Sequence, residues 1–257
     1  MNEKQNKFYT SISEYYSNIF PYNPMQLQFV KNCVGNLSEK QILDIGCATG
    51  ELAFNLASKN ANVIGVDLNE DLLKQASGNS RLQPAELNRK MKFATPRFQI
   101  GDMLELETDF KPEQFDAVLC FGNTLVHLPT TLLIQQMLKG VNKVLKPGGL
   151  FLLQILNYDY ILDEQISELP LIETVNIKFV RKYKFEKNSS LIKFQTDLHL
   201  KESGQIVTNE TSLLALKSKE LIDLLKNTGF KNVELFSNFK REKFGGRHLP
   251  LVLRCFK

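Results

Sequence analysis

Residues 41–52 read Gln-Ile-Leu-Asp-Ile-Gly-Cys-Ala-Thr-Gly-Glu-Leu, an apolar run that breaks into a glycine turn and then a helix-forming stretch. Gly46 and Gly50 lack a Cβ, so the backbone there can approach a ligand closely. The helix that follows offers free N–H groups at its start. In a dinucleotide enzyme such a turn holds a pyrophosphate. Here Asp44, Gly46 and Thr49 stand where that fingerprint needs three glycines. A carboxylate at position 44 repels a pyrophosphate and suits a cation, such as a ligand carrying an ammonium and a sulfonium. The turn is therefore read as a ligand site built from Asp44, Gly46, Cys47, Ala48 and Gly50, with Cys47 a small neutral wall and not a nucleophile.

Two more acids fall at matching places. Val63-Ile-Gly-Val-Asp67-Leu68 ends an apolar run in a carboxylate. An acid there accepts both ribose hydroxyls in nucleotide-binding α/β folds, and Leu68 would pack on the base. Gly101-Asp102-Met103 follows the next run; Asp102 would accept from a base amino group and the Met103 N–H would donate to the ring. Taken singly, an Asp after a strand is more often a helix cap. Further on, Cys-Phe-Gly-Asn-Thr-Leu-Val-His-Leu-Pro places Asn123 and His127 at a turn after an apolar run. His127 is a candidate base at a crevice, and His199 a weaker one. Near the N-terminus Tyr9 precedes Tyr16-Ser-Asn-Ile-Phe20 by seven residues, so Tyr16 could set a hydroxyl and an aromatic face beside a sulfonium. An amphipathic helix that merely caps a sheet explains the same spacing.

The elements that must position these groups alternate. Strands are predicted at 42–45, 62–66, 98–100, 117–121 and 150–155, with helices at 51–59, 70–77 and 131–145 between them. That rhythm predicts a doubly wound α/β fold with a mostly parallel, seven-stranded sheet. Residues 8–34 read as two helices parted by Pro21 and Pro24. The stretch 78–95 is polar and reads as an irregular surface loop. After Asp159 the pattern changes to three extended runs, 173–185, 190–200 and 205–216, a small inserted antiparallel sheet. A helix at 219–227 and strands at 233–237 and 249–256 close the chain. The organisation expected is a helical cap (1–34), a ligand-binding core (35–160), an antiparallel lid (161–216) and a closing segment (217–257).

Composition narrows the class. The 257 residues carry a net charge of +4, too little to argue for nucleic acid, and no basic tract interleaved with aromatics stands out. No apolar run reaches the roughly 18 residues of a membrane span. The N-terminus is polar and reads as no signal peptide. The four cysteines form no Cys-x-x-Cys pair, so neither a metal site nor a disulfide framework is expected, and a reducing, cytoplasmic setting fits. Nothing in the sequence specifies an oligomeric state.

The run Asp44-x-Gly46-x-x-x-Gly50 resembles the first motif of the class I S-adenosylmethionine-dependent methyltransferases, and Asp67 and Asp102 fall in the order that family uses. Within it, residues 115–162, with Lys-Pro-Gly-Gly-Leu and Asn-Tyr-Asp-Tyr-Ile-Leu, look like the glycine/sarcosine N-methyltransferase group. The resemblance implies S-adenosyl-L-methionine as cofactor, a small-molecule acceptor and transfer to nitrogen. It implies that Asn123 and Tyr158 face the acceptor and that Phe121 offers its carbonyl to the cofactor's amino group. One position departs: where that group has an arginine that clamps the substrate carboxylate, this chain has Leu156. Leucine cannot replace a bidentate guanidinium, which points to a less acidic, more apolar amine. The alternatives are an oxygen acceptor on the same fold, a nucleic-acid methyltransferase and a non-catalytic cofactor-binding module. The turn Phe-Gly-Asn-Thr lacks the Asn/Asp-Pro-Pro-aromatic signature of enzymes that act on base amino groups.

Overall fold

The structure, a computed structural model, describes residues 3–82, 94–187 and 189–257. Its main sheet has seven strands in the order β10-β11-β5-β4-β1-β2-β3. These are β1 (Gln41–Ile45), β2 (Asn62–Asp67), β3 (Arg97–Ile100), β4 (Phe115–Cys120), β5 (Leu145–Leu156), β10 (Lys231–Phe236) and β11 (Pro250–Phe256). The pairs among β1 to β5 are parallel, and β11 runs antiparallel to both β5 and β10. Strand order turns outward in both directions from β1 and β4, so the carboxyl ends of those two strands flank a crevice.

The strands are apolar on both faces because helices cover both. Ile42, Ala117, Leu119 and Leu152 enter one buried cluster, while Leu43, Ile45, Val118, Cys120 and Leu153 enter another on the opposite side. A third cluster joins Phe8, Ile12 and Ile19 of the N-terminal helices to Ile177, Phe179 and Leu198 of the lid. The lid is a four-stranded antiparallel sheet in the order β6-β7-β8-β9: Ile172–Glu173, Ile177–Phe185, Leu191–Leu200 and Ile206–Leu214. The N-terminal helices and the lid therefore pack on each other above the crevice.

Several expectations are corrected. The single run over 173–185 is two strands, because Thr174 Oγ1 accepts from the Asn176 and Ile177 N–H groups and turns the chain there. The helix expected from residue 8 begins at Glu3, and it passes into a tight turn at Ser13–Tyr15 before a short helix, Tyr16–Ile19. Ser11 and Ser13 donate to the Phe8 and Thr10 carbonyls, competing with the helical ladder at that point. The loop expected over 78–95 is helical in its first part, since Glu70–Leu82 is one helix; residues 83–93 lie outside the described residues. The segment after the strand expected at 150–155, where no helix was expected, is a helix, Tyr158–Asp163, capped by Asn157 Oδ1 on the Tyr160 N–H at 3.3 Å.

Candidate active site

The crevice above β1, β2 and β4 has two adjoining lobes. Tyr9, Tyr16, Gly46 and Gly122 line both. The inner lobe adds Asp67, Leu68, Leu72, Gly101, Met103 and His127; the outer adds Asp44, Cys47, Ala48, Thr49, Glu51 and Phe121.

The turn between β1 and the helix Glu51–Ala57 sets the floor. Gly46 and Gly50 have φ of +70° and +77°, left-handed geometry that an L side chain rarely adopts. A Cβ on Gly46 would lie 2.7 Å from Thr124 Cγ2, and one on Gly50 would lie 2.4 Å from Phe98 Cζ. Gly50→Ala is accordingly expected to cost about 2–4 kcal/mol of stability, from left-handed strain plus overpacking against Phe98. A lowered urea midpoint checks this; an unchanged one would mean the turn relaxes freely.

Asp67 ends β2 and accepts from the Ala48 N–H at 3.0 Å through Oδ2 and from the Asn69 N–H at 2.9 Å through Oδ1. It ties the turn to its own strand while still lining the inner lobe. Asp44 is 4% exposed and accepts no hydrogen bond from the described residues. Burial, with the nearby Asp67 adding to it, raises its carboxyl to about 7. An unpaired, buried carboxylate facing a cleft is a seat for a cation.

The N-terminal helix forms the roof. Tyr9 Oη and His127 Nε2 are 2.8 Å apart, with the two rings edge to face at 5.5 Å. Gln5 Nε2 donates to the His127 carbonyl at 2.8 Å. His127 Nδ1 is buried with no partner among the described residues. Burial lowers the imidazole to about 4, so the ring is neutral at neutral pH. Tyr9 and Tyr16 are both pushed well above the ordinary phenol range, chiefly by burial, and stay protonated.

Most of the residues picked from sequence meet here: Tyr16, His127, Asp44, Gly46, Cys47, Ala48, Asp67, Leu68, Met103 and Phe121 all line the crevice. Gly50 lies beneath it, against Phe98. Phe121 does present a carbonyl, which also accepts from Thr124 Oγ1 at 2.8 Å and keeps a second lone pair. Three residues are placed differently. Asp102 caps its own turn, Oδ1 accepting from the Leu104 N–H at 2.9 Å, while its neighbours Gly101 and Met103 reach the lobe. Asn123 is a left-handed residue that knots two strand ends, its Oδ1 accepting from the Leu156 N–H and its Nδ2 donating to the Tyr158 hydroxyl at 3.1 Å. Tyr158 opens a helix and is fully buried, its hydroxyl held by Asn123 and Tyr183.

Sequence reasoning missed Tyr22, Gln26, Glu51 and Thr49 as wall residues of the outer lobe. The Tyr22 hydroxyl is buried without a partner among the described residues. The only signal in the sequence was the bracket Pro21-Tyr22-Asn23-Pro24, a rigid loop beside a candidate site.

The methyltransferase domain family matches residues 36–197, which is more than half of the chain. The chain belongs to that family. A ubiquinone biosynthesis O-methyltransferase from Idiomarina loihiensis is 36% identical over 137 residues, 52% of this chain and 50% of that one. The chain thus spans half the length of this relative. A glycine N-methyltransferase from Rattus norvegicus is 33% identical over 130 residues, 48% of this chain and 42% of that one. In three dimensions an S-adenosylmethionine-dependent methyltransferase from Clostridium acetobutylicum superposes with a TM-score of 0.76 at 20% identity, covering 97% of this chain and 98% of that one. One of the sequence relatives is named for oxygen and the other for nitrogen, so they leave the acceptor atom open.

The family makes this chain an enzyme of methyl transfer, and the cleft fits S-adenosylmethionine as the donor. Asp44 would face the amino-acid end of that donor, Asp67 would give paired acceptors to a ribose, and Leu68 and Met103 would form an apolar slot for a base. Among the described residues no His/Cys/Asp/Glu group could hold a metal ion, and no helix is long and apolar enough to cross a membrane.

Proposed function

We propose that this chain methylates the nitrogen of a small-molecule amine, taken up as the free base. The observation that carries this is the state of His127. It is neutral, weakly basic, and has no carboxylate behind its Nδ1 to strengthen it. Such an imidazole is a poor base for an alkyl hydroxyl. A neutral amine needs no base before attack, because its lone pair is already available. Bound S-adenosylmethionine supplies an electrophilic methyl on sulfur. The chain's own residues then have to align the acceptor nitrogen in line with that methyl, and alignment alone can contribute about 7–11 kcal/mol. Tyr9 and His127 form one hydrogen-bonded wall above the inner lobe, and Tyr16 adds a second aromatic face. The N-terminal helix and the lid pack together as a roof that suits a small molecule better than a duplex. Four free thiols, three of them buried, fit a reducing setting.

The test is a panel of amines, alcohols and phenols at saturating cofactor, with transfer of a labelled methyl group as readout. Amines are expected to be methylated at least roughly 100-fold faster than hydroxyl acceptors of the same skeleton. For the amines, log kcat/KM should climb with pH and level at each amine's own pKa, not at a value shared by all of them. Faster methylation of the hydroxyl series would overturn the nitrogen assignment.

A further inference from the structure

The inner face of the lid carries polar groups that the crevice does not use. Pairing of β7 with β8 sets Arg181 opposite Thr196 and Tyr183 opposite Phe194. Alternation puts all four on the face that also holds buried Phe179 and Leu198. Thr196 is 1% exposed and Tyr183 is 3% exposed. The Thr196 hydroxyl and Arg181 Nε are buried and have no hydrogen-bond partner among the described residues, while the buried Tyr183 hydroxyl is directed at that of Tyr158. Arg181 Nη2 donates to the Pro170 carbonyl, and no carboxylate among the described residues pairs with the guanidinium. Two buried donors left without acceptors side by side are destabilising unless something fills them.

The patch abuts the crevice wall. Phe194 stacks between Tyr183 and Phe8, at 5.5 and 6.0 Å between ring centroids, and Phe8 is the chain neighbour of Tyr9. Asn209, beside Thr196 on β9, donates to Ser11 on the same N-terminal helix. Tyr183 also shares a buried cluster with Tyr158, whose hydroxyl is held by Asn123.

We propose that Arg181 and Thr196, with Tyr183 beside them, form the far end of the acceptor site and take a carboxylate carried by the amine. The proposal rests on the nitrogen-acceptor reading. A carboxylate fits because its two oxygens match the two free donors and its one negative charge matches one guanidinium. A phosphate dianion would leave a charge uncompensated on an otherwise apolar face. The patch reaches the inner lobe only by way of Phe194, Phe8 and then Tyr9, so the acid and the amine of the acceptor would be several bonds apart. Leu156 removes the clamp for an acid adjacent to the nitrogen; the lid supplies one for a distant acid, which revises the expectation of an apolar amine. Because Arg181 Nε and the Thr196 hydroxyl are buried, reaching them requires the lid to part from the N-terminal helix along the Phe8–Phe194 and Ser11–Asn209 contacts.

The experiment compares n-alkylamines with ω-amino acids of matched and increasing chain length. Wild-type enzyme is expected to favour the longer ω-amino acids over the matched amines by roughly 10- to 100-fold in kcat/KM, carried by KM. Arg181→Met should collapse that ratio and Arg181→Lys should keep part of it. Thr196→Val reads the same ratio if Arg181→Met fails to fold. Equal use of acid and neutral amines by wild type, or a ratio indifferent to Arg181, overturns the proposal while leaving nitrogen transfer intact. If only hydroxyl acceptors react, the nitrogen reading fails, and ω-hydroxy acids against alkanols put the same question to Arg181. If nothing turns over, the S-adenosylhomocysteine complex is melted with the ω-amino acids. A stabilising shift in wild type that Arg181→Met loses supports the site; no shift, or one common to both proteins, overturns it.

Discussion

Asp67→Ala is expected to lower affinity for S-adenosylhomocysteine by roughly 100- to 10,000-fold, the loss of two hydrogen bonds to a charged acceptor. Each Asp67 oxygen already accepts one backbone N–H, from Ala48 or Asn69. A carboxylate has about four lone-pair positions, so one per oxygen remains for a ribose hydroxyl. Burial raises the Asp67 carboxyl, and the backbone N–H groups of Asn69, Ala48 and Leu68 oppose that rise. The same substitution orphans those two donors and should cost about 1–3 kcal/mol of stability. Calorimetric titration separates the effects, because a merely destabilised protein still binds at a temperature well below its Tm. Binding at wild-type affinity would mean that the ribose lies elsewhere and that the acid only braces the turn.

How far the sequence spoke depended on the reach of each interaction. The β1 turn was legible because its chemistry is local: a carboxylate, two glycines and a helix start lie within seven residues, and the structure sets Asp44 and Gly46 on the crevice wall with Gly50 beneath it. The parallel core was legible through its alternation of apolar runs and amphipathic stretches. Tyr158 was not, since Asn-Tyr-Asp-Tyr suits a strand exit and a capped helix equally, and the choice was made by Asn157 reaching Tyr160. Asp102 shows the same ambiguity resolved toward its own backbone. Tyr9 entered the sequence reading only as a spacing mark. Its bond to His127 joins residues 118 apart in the chain, a contact no periodicity reports. Arg181 lies among the alternating charges of Lys178 to Lys193, a composition that suits a solvated strand face. The lid's pairing with the N-terminal helix, not its own composition, buried that face.

Asp44→Asn is expected to remove a pH dependence as well as affinity. Burial and Asp67 raise the Asp44 carboxyl from 3.8 to about 7, so the ligand-free folded state holds this proton more tightly than the unfolded chain does. By linkage, this group's contribution to stability is greatest at low pH and is lost as pH rises from about 4 to about 7, by at most about 4 kcal/mol. A cofactor ammonium beside Asp44 favours the ionised form. Binding below pH 7 must therefore expel the proton, and affinity for S-adenosylhomocysteine should fall about tenfold per unit as pH drops beneath 7 and stay level from 7 to 8. In Asp44→Asn the ammonium meets no charge, so affinity at pH 8 should be roughly 100- to 1,000-fold lower and flat with pH. Near pH 5 the two proteins should converge, since wild type is then also neutral at this position. The ligand-free variant should meanwhile be no less stable than wild type at pH 8, having lost a buried charge. Calorimetric titrations across pH 5–8 check all of this. A wild-type profile as flat as the variant's would place the ammonium away from Asp44, and with it the argument that a carboxylate here selects a cation over a pyrophosphate.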